Sequence, residues 1–437
     1  MANVTEFNCP CCGSSLKFDA TKQNIKCPYC DSEFSIDDVK GSIEEHAQDF
    51  NDSANWDTKD AMEKMSNEES SLLNSYCCDM CGGEIIADEN TASTSCPYCG
   101  NNVLIKSRLT GALKPKYIIP FKKTEDDAKI ALRDYMKGKI LLPRVFKDEN
   151  RIKEIKPLYV PYWLYDADVN ARIKYIGKTV RRWTSGDYEY TEEKYYSVVR
   201  EGGITYEHLP IDASKSIDNK YTESIEPYHF SEAKPFESAY LAGYMSDKYD
   251  VTAEEDSARA TQRIKEGTEM AFRKTVKGYN EVKLDSCNIQ LYNTKAEYAL
   301  YPLYFLNTKW NENNYKFAMN GETGNLKGDL PMSKAKYFSW LFGLFIAFAA
   351  LLSVIFYFIA EDGELLLPIL FGVVFGFLIS FFITLAMKKQ LKGIVFQRGS
   401  AAYYKDGSMH LTVATDRFMY KKVRRTRVSS SSSSRKR

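Results

Sequence analysis

The sequence has few of the residues that most often carry out chemistry in enzymes. Histidine occurs only four times among 437 residues, and no histidine lies in a serine, cysteine or aspartate arrangement typical of nucleophilic catalysis. No glycine-rich phosphate loop follows a predicted strand, because Gly321 and Gly324 fit a hairpin turn instead. No two carboxylates have a spacing that singles out an acid and a base. We therefore expect a protein that is not an enzyme.

An excess of charge of one sign is also lacking, yet the charge is unevenly distributed. The chain has 59 Lys and Arg against 58 Asp and Glu. Residues 1–110 carry 8 basic and 19 acidic side chains, whereas residues 387–437 carry 14 basic and 2 acidic ones. This pattern excludes a uniformly basic nucleic-acid coat protein. It also disfavours phosphate binding by the acidic part, because counterion release requires clustered Lys and Arg.

Long apolar runs are absent from the first three quarters of the chain. The start, MANVTEFNCP, has neither a basic stretch nor an apolar run, so we expect no secretory signal. Residues 337–360 and 365–387 then contain no charged side chain, and about 20 helical residues are enough to span a bilayer. Buried globular helices are the competing interpretation, but such helices rarely run this long without a polar face. The sequence predicts a transmembrane helical hairpin, 337–387.

Lysines flank this hairpin on one side only. Lys334 and Lys336 precede the first run, and Lys388, Lys389 and Lys392 follow the second, whereas the four connecting residues have no Lys or Arg. The positive-inside rule then places both long ends of the chain in the cytoplasm. We expect a cell-membrane protein with two spans and cytoplasmic N- and C-termini.

Cysteine, in contrast, is plentiful and regularly spaced. A Cys-x2-Cys pair is followed, after fourteen residues, by Cys-Pro-Tyr-Cys, and the whole pattern recurs with an offset of 69 residues. The first set is Cys9, Cys12, Cys27 and Cys30, and the second set is Cys78, Cys81, Cys96 and Cys99. Such paired turns direct four thiolates at one tetrahedral Zn²⁺. The sequence predicts two structural zinc ions in two zinc ribbons, 1–36 and 76–108.

Two other uses of the cysteines are less favourable. A cytoplasmic location disfavours disulfides, and a redox Cys-x-x-Cys would need a thioredoxin-like βαβ setting that neither pair has. Sulfur-only sites leave no open coordination position, so we expect no catalytic zinc. Cys11, Cys77 and Cys287 fall outside the repeat and are predicted to be unliganded.

The remaining segments predict a β-rich α+β cytoplasmic domain, 111–333. Helical periodicity occurs at 124–137 and 253–277, and apolar runs typical of buried strands occur at 158–165 and 300–306. Alternating residues at 171–183, 188–200 and 204–211, separated by Ser-Gly-Asp and Glu-Gly-Gly, predict a three-stranded meander. The acidic segment 37–75 either carries one helix or stays a solvated linker. The fold class is thus two small zinc ribbons, this domain and a two-helix transmembrane hairpin.

Two features concern the membrane end. Gly372 and Gly376 form a Gly-x3-Gly motif, which offers a close-packing face to the first span or to another subunit. The basic cytoplasmic tail, 388–437, has strand-like stretches at 402–413 and 417–423. Its charges fit anionic headgroups of membrane lipids, with ordinary flanking charge as the alternative.

Several stretches resemble a bacterial family of membrane proteins that carry transcription-factor-B-type zinc ribbons. They are the Cys-Pro-Tyr-Cys knuckles, 113–121 (LKPKYIIPF), 159–168 (YVPYWLYDAD), 318–330 (AMNGETGNLKGDL) and 411–420 (LTVATDRFMY). The resemblance implies a membrane-attached adaptor. It also implies protein partners of the phage-shock-protein or flotillin type, and so a role in the response to membrane stress.

These observations give two hypotheses of different classes. The first is a membrane-anchored scaffold whose zinc ribbons recruit protein partners and which can form homo-oligomers. The second is a membrane-tethered nucleic-acid-binding protein that uses the ribbons or the basic residues 421–427. The acidic amino-terminal part favours protein–protein contact over nucleic acid.

Overall fold

The structure is a computed structural model of the 437-residue chain. It describes residues 16–19, 24–28, 33–34, 54–59, 63–71, 73–88, 96–99, 104–108, 113–147, 155–310, 313–359, 366–394 and 400–427. Within these ranges the helices are α1 Asn67–Ser71, α2 Glu125–Met136, α3 Asn219–Ser224, α4 Ala253–Arg273, α5 Lys334–Ile359 and α6 Leu366–Lys389. The strands are β1 Lys17–Asp19, β2 Asn24–Lys26, β3 Glu33–Phe34, β4 Leu73–Cys78, β5 Glu84–Asp88, β6 Leu104–Arg108, β7 Tyr117–Ile118, β8 Lys156–Ser185, β9 Tyr188–Asp212, β10 Lys234–Pro235, β11 Met245–Asp247, β12 Glu281–Trp310, β13 Asn313–Asn320, β14 Leu326–Gly328 and β15 His410–Arg427.

Four long antiparallel strands form the centre of the molecule. β8 pairs with β12 on one side and with β9 on the other, and β9 pairs with β15. Their apolar residues are buried on both faces of the sheet: Trp163 and Tyr165 belong to the cluster that contains residues of α4, and Leu158 belongs to a second cluster without them. The predicted buried strands 158–165 and 300–306 are confirmed as parts of β8 and β12. A β-rich sheet domain is therefore present.

The predicted three-stranded meander is wrong in one respect. Residues 188–211 form one continuous strand, β9, and the Glu-Gly-Gly stretch lies inside this strand and forms no turn. The glycines allow a close backbone approach, because a Cβ on Gly202 would collide with the carbonyl oxygen of His410 in β15. Glycine within a strand often marks such an approach. Gly186, with φ of +56°, makes the β8–β9 turn as predicted.

Both predicted helices of this domain are confirmed, and each begins at a capping box. The Thr124 side chain accepts from Asp127 N, and the Asp127 carboxylate accepts from Thr124 N. Thr252 and Glu255 make the same exchange at α4. These contacts satisfy backbone N–H groups that the first helical turn leaves without partners. Helix α4 ends at Arg273, four residues before the predicted end.

Helix α4 is also joined to the sheet by a buried network of charged groups. The guanidinium of Arg263 makes two hydrogen bonds to the Glu226 carboxylate, of 3.1 and 2.7 Å. Arg259 pairs with Asp212 at the end of β9 and with Glu223 in α3. Both arginines are held by at least two oxygen atoms, which fixes the helix against the strand.

The basic segment after the second long helix rejoins the sheet. β15 pairs with β9 along its length, from His410 opposite Gly203 to Arg427 opposite Tyr188. Two bulges, near Leu411 and Phe418, interrupt the register. The stretch predicted at 417–423 is confirmed within β15, a strand at an edge of the sheet. Of the stretch predicted at 402–413, only residues 410–413 belong to that strand, because Gly407, with φ of +75°, lies in a turn before it. Residues 428–437 lie outside the described residues.

The two apolar helices α5 and α6 form a hairpin. Both are long and apolar enough to cross a membrane. The predicted Gly-x3-Gly face packs against the first helix: a Cβ on Gly372 would collide with Ser353, and one on Gly376 would collide with Ala349. Large apolar side chains cover the other faces and are exposed, as expected for helices surrounded by lipid.

The base of this hairpin is packed into the sheet domain. Leu391, which follows α6, belongs to a buried apolar cluster with Leu132 of α2 and Phe317 of β13. The backbone N–H of Leu330 donates to the Leu391 carbonyl at 2.9 Å. We call this group the hairpin-base cluster. Its other buried members are Ala128, Met136, Leu141, Leu142, Phe146, Ile155, Tyr304, Leu306, Met319 and Leu330.

Candidate metal centre

The second cysteine set lies on a small antiparallel sheet, in which β4 is flanked by β5 and β6. Cys78 is the last residue of β4, and its backbone N–H donates to Gly83 O while its carbonyl accepts from Gly82 N. Gly82 has φ of +73°, a conformation that L side chains rarely adopt. This tight turn places Cys81 beside Cys78.

The structure brings all four cysteines of the second set together. The Sγ atoms of Cys78, Cys81, Cys96 and Cys99 lie within 4.8 Å of one another. Cys78 Sγ is 3.6 Å from Cys99 Sγ, and Cys81 Sγ is 3.6 Å from Cys96 Sγ. A disulfide bond requires about 2.0 Å, so no pair is oxidised.

These distances fit a tetrahedral metal ion. With Zn–S bonds of about 2.3 Å, the sulfur atoms of an ideal tetrahedron are separated by about 3.8 Å. The two 3.6 Å separations are close to that edge length. Four thiol donors are the ligands preferred by zinc and iron–sulfur centres. The cluster can therefore hold one metal ion with no open coordination position.

The electrostatics of the cluster also favour a cation. Burial opposes ionisation of Cys78, but the backbone N–H groups of Cys81 and Met80 donate to its sulfur and lower its pKa to about 7. Burial raises the pKa of Cys81 and, more strongly, that of Cys96. Several thiolates close together repel one another. The positive charge of a coordinated dication offsets that repulsion, and its thiol ligands are therefore deprotonated.

The knuckle of the second pair is packed into the sheet domain. Cys78, Cys96 and Tyr98 belong to a buried cluster that also contains Leu158 of β8. The Tyr98 ring is buried and its hydroxyl faces the carboxyl group of Asp247. Burial raises the pKa of Asp247 to about 7. Asp247 lies in β11. This strand pairs with β5 on one side and with β8 on the other.

Sequence reasoning did not find the contact between Tyr98 and Asp247. The two residues are far apart in the chain, and a single aspartate in a three-residue strand has no periodic signal. The available signal was the Cys-Pro-Tyr-Cys pattern, in which the first knuckle has tyrosine at the position that matches Tyr98.

The first cysteine set is described only in part. Cys27 is buried at the end of β2, and β1, β2 and β3 form a three-stranded antiparallel sheet. Cys9, Cys12 and Cys30 lie outside the described residues, and so does Cys11. Cys77 lies in β4 directly before Cys78, and Cys287 lies in β12. Neither belongs to the four-thiol cluster.

A second group of possible ligands was not anticipated from the sequence. One ligand atom from each of Asp166, His208 and Glu297 lies within 4.8 Å of the others. The Glu297 carboxylate, however, already pairs with the ammonium groups of Lys116 and Lys295. Two cations in contact with one ligand oppose the binding of a third. We regard this group as an ion-pair network.

The chain is similar to a bacterial protein over most of that protein's length. No family model matches the chain, and no solved structure matches it. A protein of Bacillus subtilis (strain 168), named "Uncharacterized protein YdjG", is 30% identical over 322 residues, which cover 62% of this chain and 94% of that protein. The chain belongs to the same family as YdjG of Bacillus subtilis.

Proposed function

We propose that this protein is a membrane-anchored adaptor that holds zinc and recruits protein partners to the cytoplasmic face of the cell membrane. One observation carries the proposal: the four-thiol cluster and the hairpin of apolar helices are both packed into one sheet domain. A partner bound near the thiols is thereby held at a fixed place relative to the bilayer. No catalytic reaction is part of this function.

The metal part of the proposal is two structural zinc ions. Cys78, Cys81, Cys96 and Cys99 hold one ion, and their mutual distances support that assignment. The repeat extends the assignment to Cys9, Cys12, Cys27 and Cys30, and the three-stranded sheet around Cys27 is consistent with a second ribbon. Both sites then have the transcription-factor-B-type ribbon character that the sequence resembles.

The contact surface that we propose is the tip of the second ribbon. Met80 lies between the first two zinc ligands and is 75% exposed, which is unusual for a large apolar side chain. Met is a common residue at adaptable protein-binding surfaces. The neighbouring Asp79 is acidic, whereas Glu84 already pairs with Lys248, so the surface suits an apolar partner surface with a basic side chain near Asp79.

A pull-down from detergent-solubilised membranes tests the adaptor. Met80→Asp is expected to retain zinc and to lose the captured partner, whereas Cys77→Ser retains both. Phage-shock-protein and flotillin-type proteins are the partner classes to examine first. Equal recovery of every partner with the parent protein and with Met80→Asp would contradict the proposed surface.

The orientation is tested separately. Lysines at both ends of the hairpin support a cytoplasmic location of the long segments by the positive-inside rule. Protease added outside intact spheroplasts is therefore expected to leave the sheet domain whole, and detergent permeabilisation should expose it. Digestion of the domain in intact spheroplasts would reverse the orientation.

A second candidate function, nucleic-acid binding, is favoured by one specific surface. At the far end of the long strands, Trp183 of β8 stacks on Tyr190 of β9, with ring centroids 5.5 Å apart and planes at 6°. Arg181 lies over the Trp183 ring and Arg425 over Tyr188. Exposed aromatic rings with neighbouring basic side chains are typical of single-strand binding surfaces.

Fluorescence titration with single-stranded RNA tests that candidate. Trp183→Ala together with Arg425→Ala is expected to weaken salt-dependent binding, and Met80→Asp is the control that leaves it unchanged. An absence of measurable binding at low salt by the parent protein would exclude this function.

A further inference from the structure

The loop that follows α2 lies against the first turn of the apolar helix α5. The backbone N–H of Ser333 donates to the Leu141 carbonyl at 2.9 Å. The Lys336 ammonium group donates to the Leu142 carbonyl at 2.7 Å. Leu391, which follows the second helix of the hairpin, belongs to the same buried cluster as Leu141 and Leu142. The loop is therefore at the level where both helices leave the sheet domain.

The exposed part of this loop combines basic and apolar side chains. Residues 137–142 read Lys-Gly-Lys-Ile-Leu-Leu and contain no acidic side chain. Lys137 is exposed, and Ile140 is 48% exposed although the next two leucines are buried. The exposed side chains of Lys334, Lys388, Lys389 and Lys392 lie at the ends of the hairpin. Together they form a basic collar around its base.

We propose that residues 137–140 bind the headgroups of anionic phospholipids, with Ile140 inserted at the boundary between headgroups and acyl chains. The inference rests on the membrane anchoring in the proposed function. Basic side chains attract anionic lipids at the inner leaflet, and an apolar side chain among them adds interfacial burial. The hairpin fixes the bilayer at this level, so the loop does not have to find the membrane by itself.

The position of the other basic segment agrees with this assignment. The basic residues 421–427 belong to the part of β15 that pairs, as a strand, with the end of β9 near Tyr188, next to the β8–β9 turn. β8 begins beside the hairpin-base cluster and runs 30 residues to that turn. At about 3.3 Å per residue, roughly 75–95 Å of strand length lie between the start of β8 and the level of residues 421–427. The loop, and not the carboxy-terminal strand, is thus adjacent to the helices that enter the bilayer.

Lipid photo-crosslinking in nanodiscs tests the proposal with the full chain. Ile140 is replaced by p-benzoylphenylalanine, and the adduct is identified by mass spectrometry in discs of phosphatidylcholine alone or of phosphatidylcholine with phosphatidylglycerol. Leu284 of β12, which is 51% exposed and lies far along the sheet, is the matched control position. Phe358, which is 82% exposed near the hairpin turn, reports insertion of the hairpin.

We expect lipid adducts at positions 140 and 358 and none at 284. The adduct at 140 should increase by about tenfold with phosphatidylglycerol, because two lysines adjoin it. Lys137→Glu with Lys139→Glu should abolish that increase without changing the adduct at 358. Circular dichroism and the zinc content of the double variant show whether it remains folded.

The other outcomes overturn the proposal in distinguishable ways. An adduct at 358 without one at 140 leaves the membrane anchor intact and removes the loop contact. Equal adducts at 140 in both kinds of disc, or an unchanged increase in the double lysine variant, remove the anionic headgroup as its ligand. The absence of adducts at both positions removes the membrane anchor itself.

Discussion

Cys77 and Cys78 are neighbours in β4, yet only Cys78 takes part in the four-thiol cluster. Successive side chains of a strand point to opposite faces, so a shift by one residue decides whether a thiol can reach the metal. The repeat with an offset of 69 residues identified Cys78, because Cys78 and not Cys77 matches Cys9 at that offset in the sequence. Adjacent cysteines of the same strand therefore provide a matched pair for mutagenesis.

Cys78→Ser is expected to lower the bound zinc by about one ion per chain, because a hydroxyl is a much poorer ligand than a thiolate. Cys77→Ser should leave the zinc content unchanged. Elemental analysis of the protein purified in detergent measures both. An equal zinc content in the two variants, or a loss confined to Cys77→Ser, would contradict the assignment.

Asp247 gives a prediction about pH. Its carboxyl group is buried, which raises its pKa to about 7 in the folded protein, against about 3.9 in an unfolded chain. Between these values the folded state binds a proton that the unfolded state has lost. The free energy of unfolding contributed by this group therefore falls as pH rises from about 4 to about 7, and is constant above that range.

Asp247→Asn should remove this dependence. The melting temperature of the parent protein minus that of the variant is expected to fall as pH rises from 5 to 8. The corresponding fall in the difference between their free energies of unfolding is at most about 1.4 kcal/mol per pH unit. Zinc release at low pH affects both proteins, so the difference isolates the carboxyl group. A difference that does not vary with pH would show that Asp247 titrates normally. Calorimetry at several pH values makes the measurement.

At the scale of elements, the hairpin is built around a stripe of small residues. Gly372, Gly376, Ser380 and Thr384 are the buried positions of α6 together with Pro368, and they recur every four residues. This spacing places them on one face, against Ser353 and Ala349 of α5. Close contact between helices is possible in lipid only where such side chains are small.

Gly372→Ile is expected to force the two helices apart and to destabilise the hairpin by about 1–3 kcal/mol. Gly343→Ile is the control, because a Cβ at Gly343 of α5 meets no atom within 4 Å. Thermal aggregation in detergent compares the two variants with the parent protein. If Gly343→Ile were as harmful as Gly372→Ile, close packing at the stripe would not be the cause.

The sequence was informative wherever a local pattern determines an element. Helical periodicity predicted α2 and α4, and uninterrupted apolar runs predicted the two long helices. Two glycines within an alternating stretch, 202–203, were misleading. Glycine is equally suited to a turn and to a close approach between strands, and only the position of β15 distinguishes the two.

Contacts between distant segments could not be predicted from these patterns. The sequence indicated a metal-dependent ribbon at 76–108, whereas in the structure its sheet continues through β11 into the central strands. β11 has only three residues, too few for a periodic signal. The same holds for the Asp166, His208 and Glu297 group, whose members come from three different strands.

At the scale of the whole molecule, two buried clusters connect the four-thiol cluster to the two apolar helices α5 and α6. The cluster with Cys78 and Cys96 contains Leu303 and Phe305 of β12. The hairpin-base cluster contains Tyr304 and Leu306 of the same strand. Because side chains alternate across a strand, β12 presents the two clusters on its two faces. A change in packing at the thiols can therefore reach the hairpin base through one strand.

Removal of metal should consequently affect more than the ribbon. Treatment of the purified protein with a strong zinc chelator is expected to lower its melting temperature and to increase amide hydrogen exchange in 158–165 of β8 as well as in 73–88. Burial of Cys78 and Cys96 in the same cluster as Leu158 is the physical reason, since an uncompensated buried thiolate is costly. Cys78→Ser, compared with Cys77→Ser, should show the same exchange increase before any chelator is added. An increase confined to 73–88 would mean that the metal centre folds independently of the sheet, and that zinc stabilises the ribbon alone.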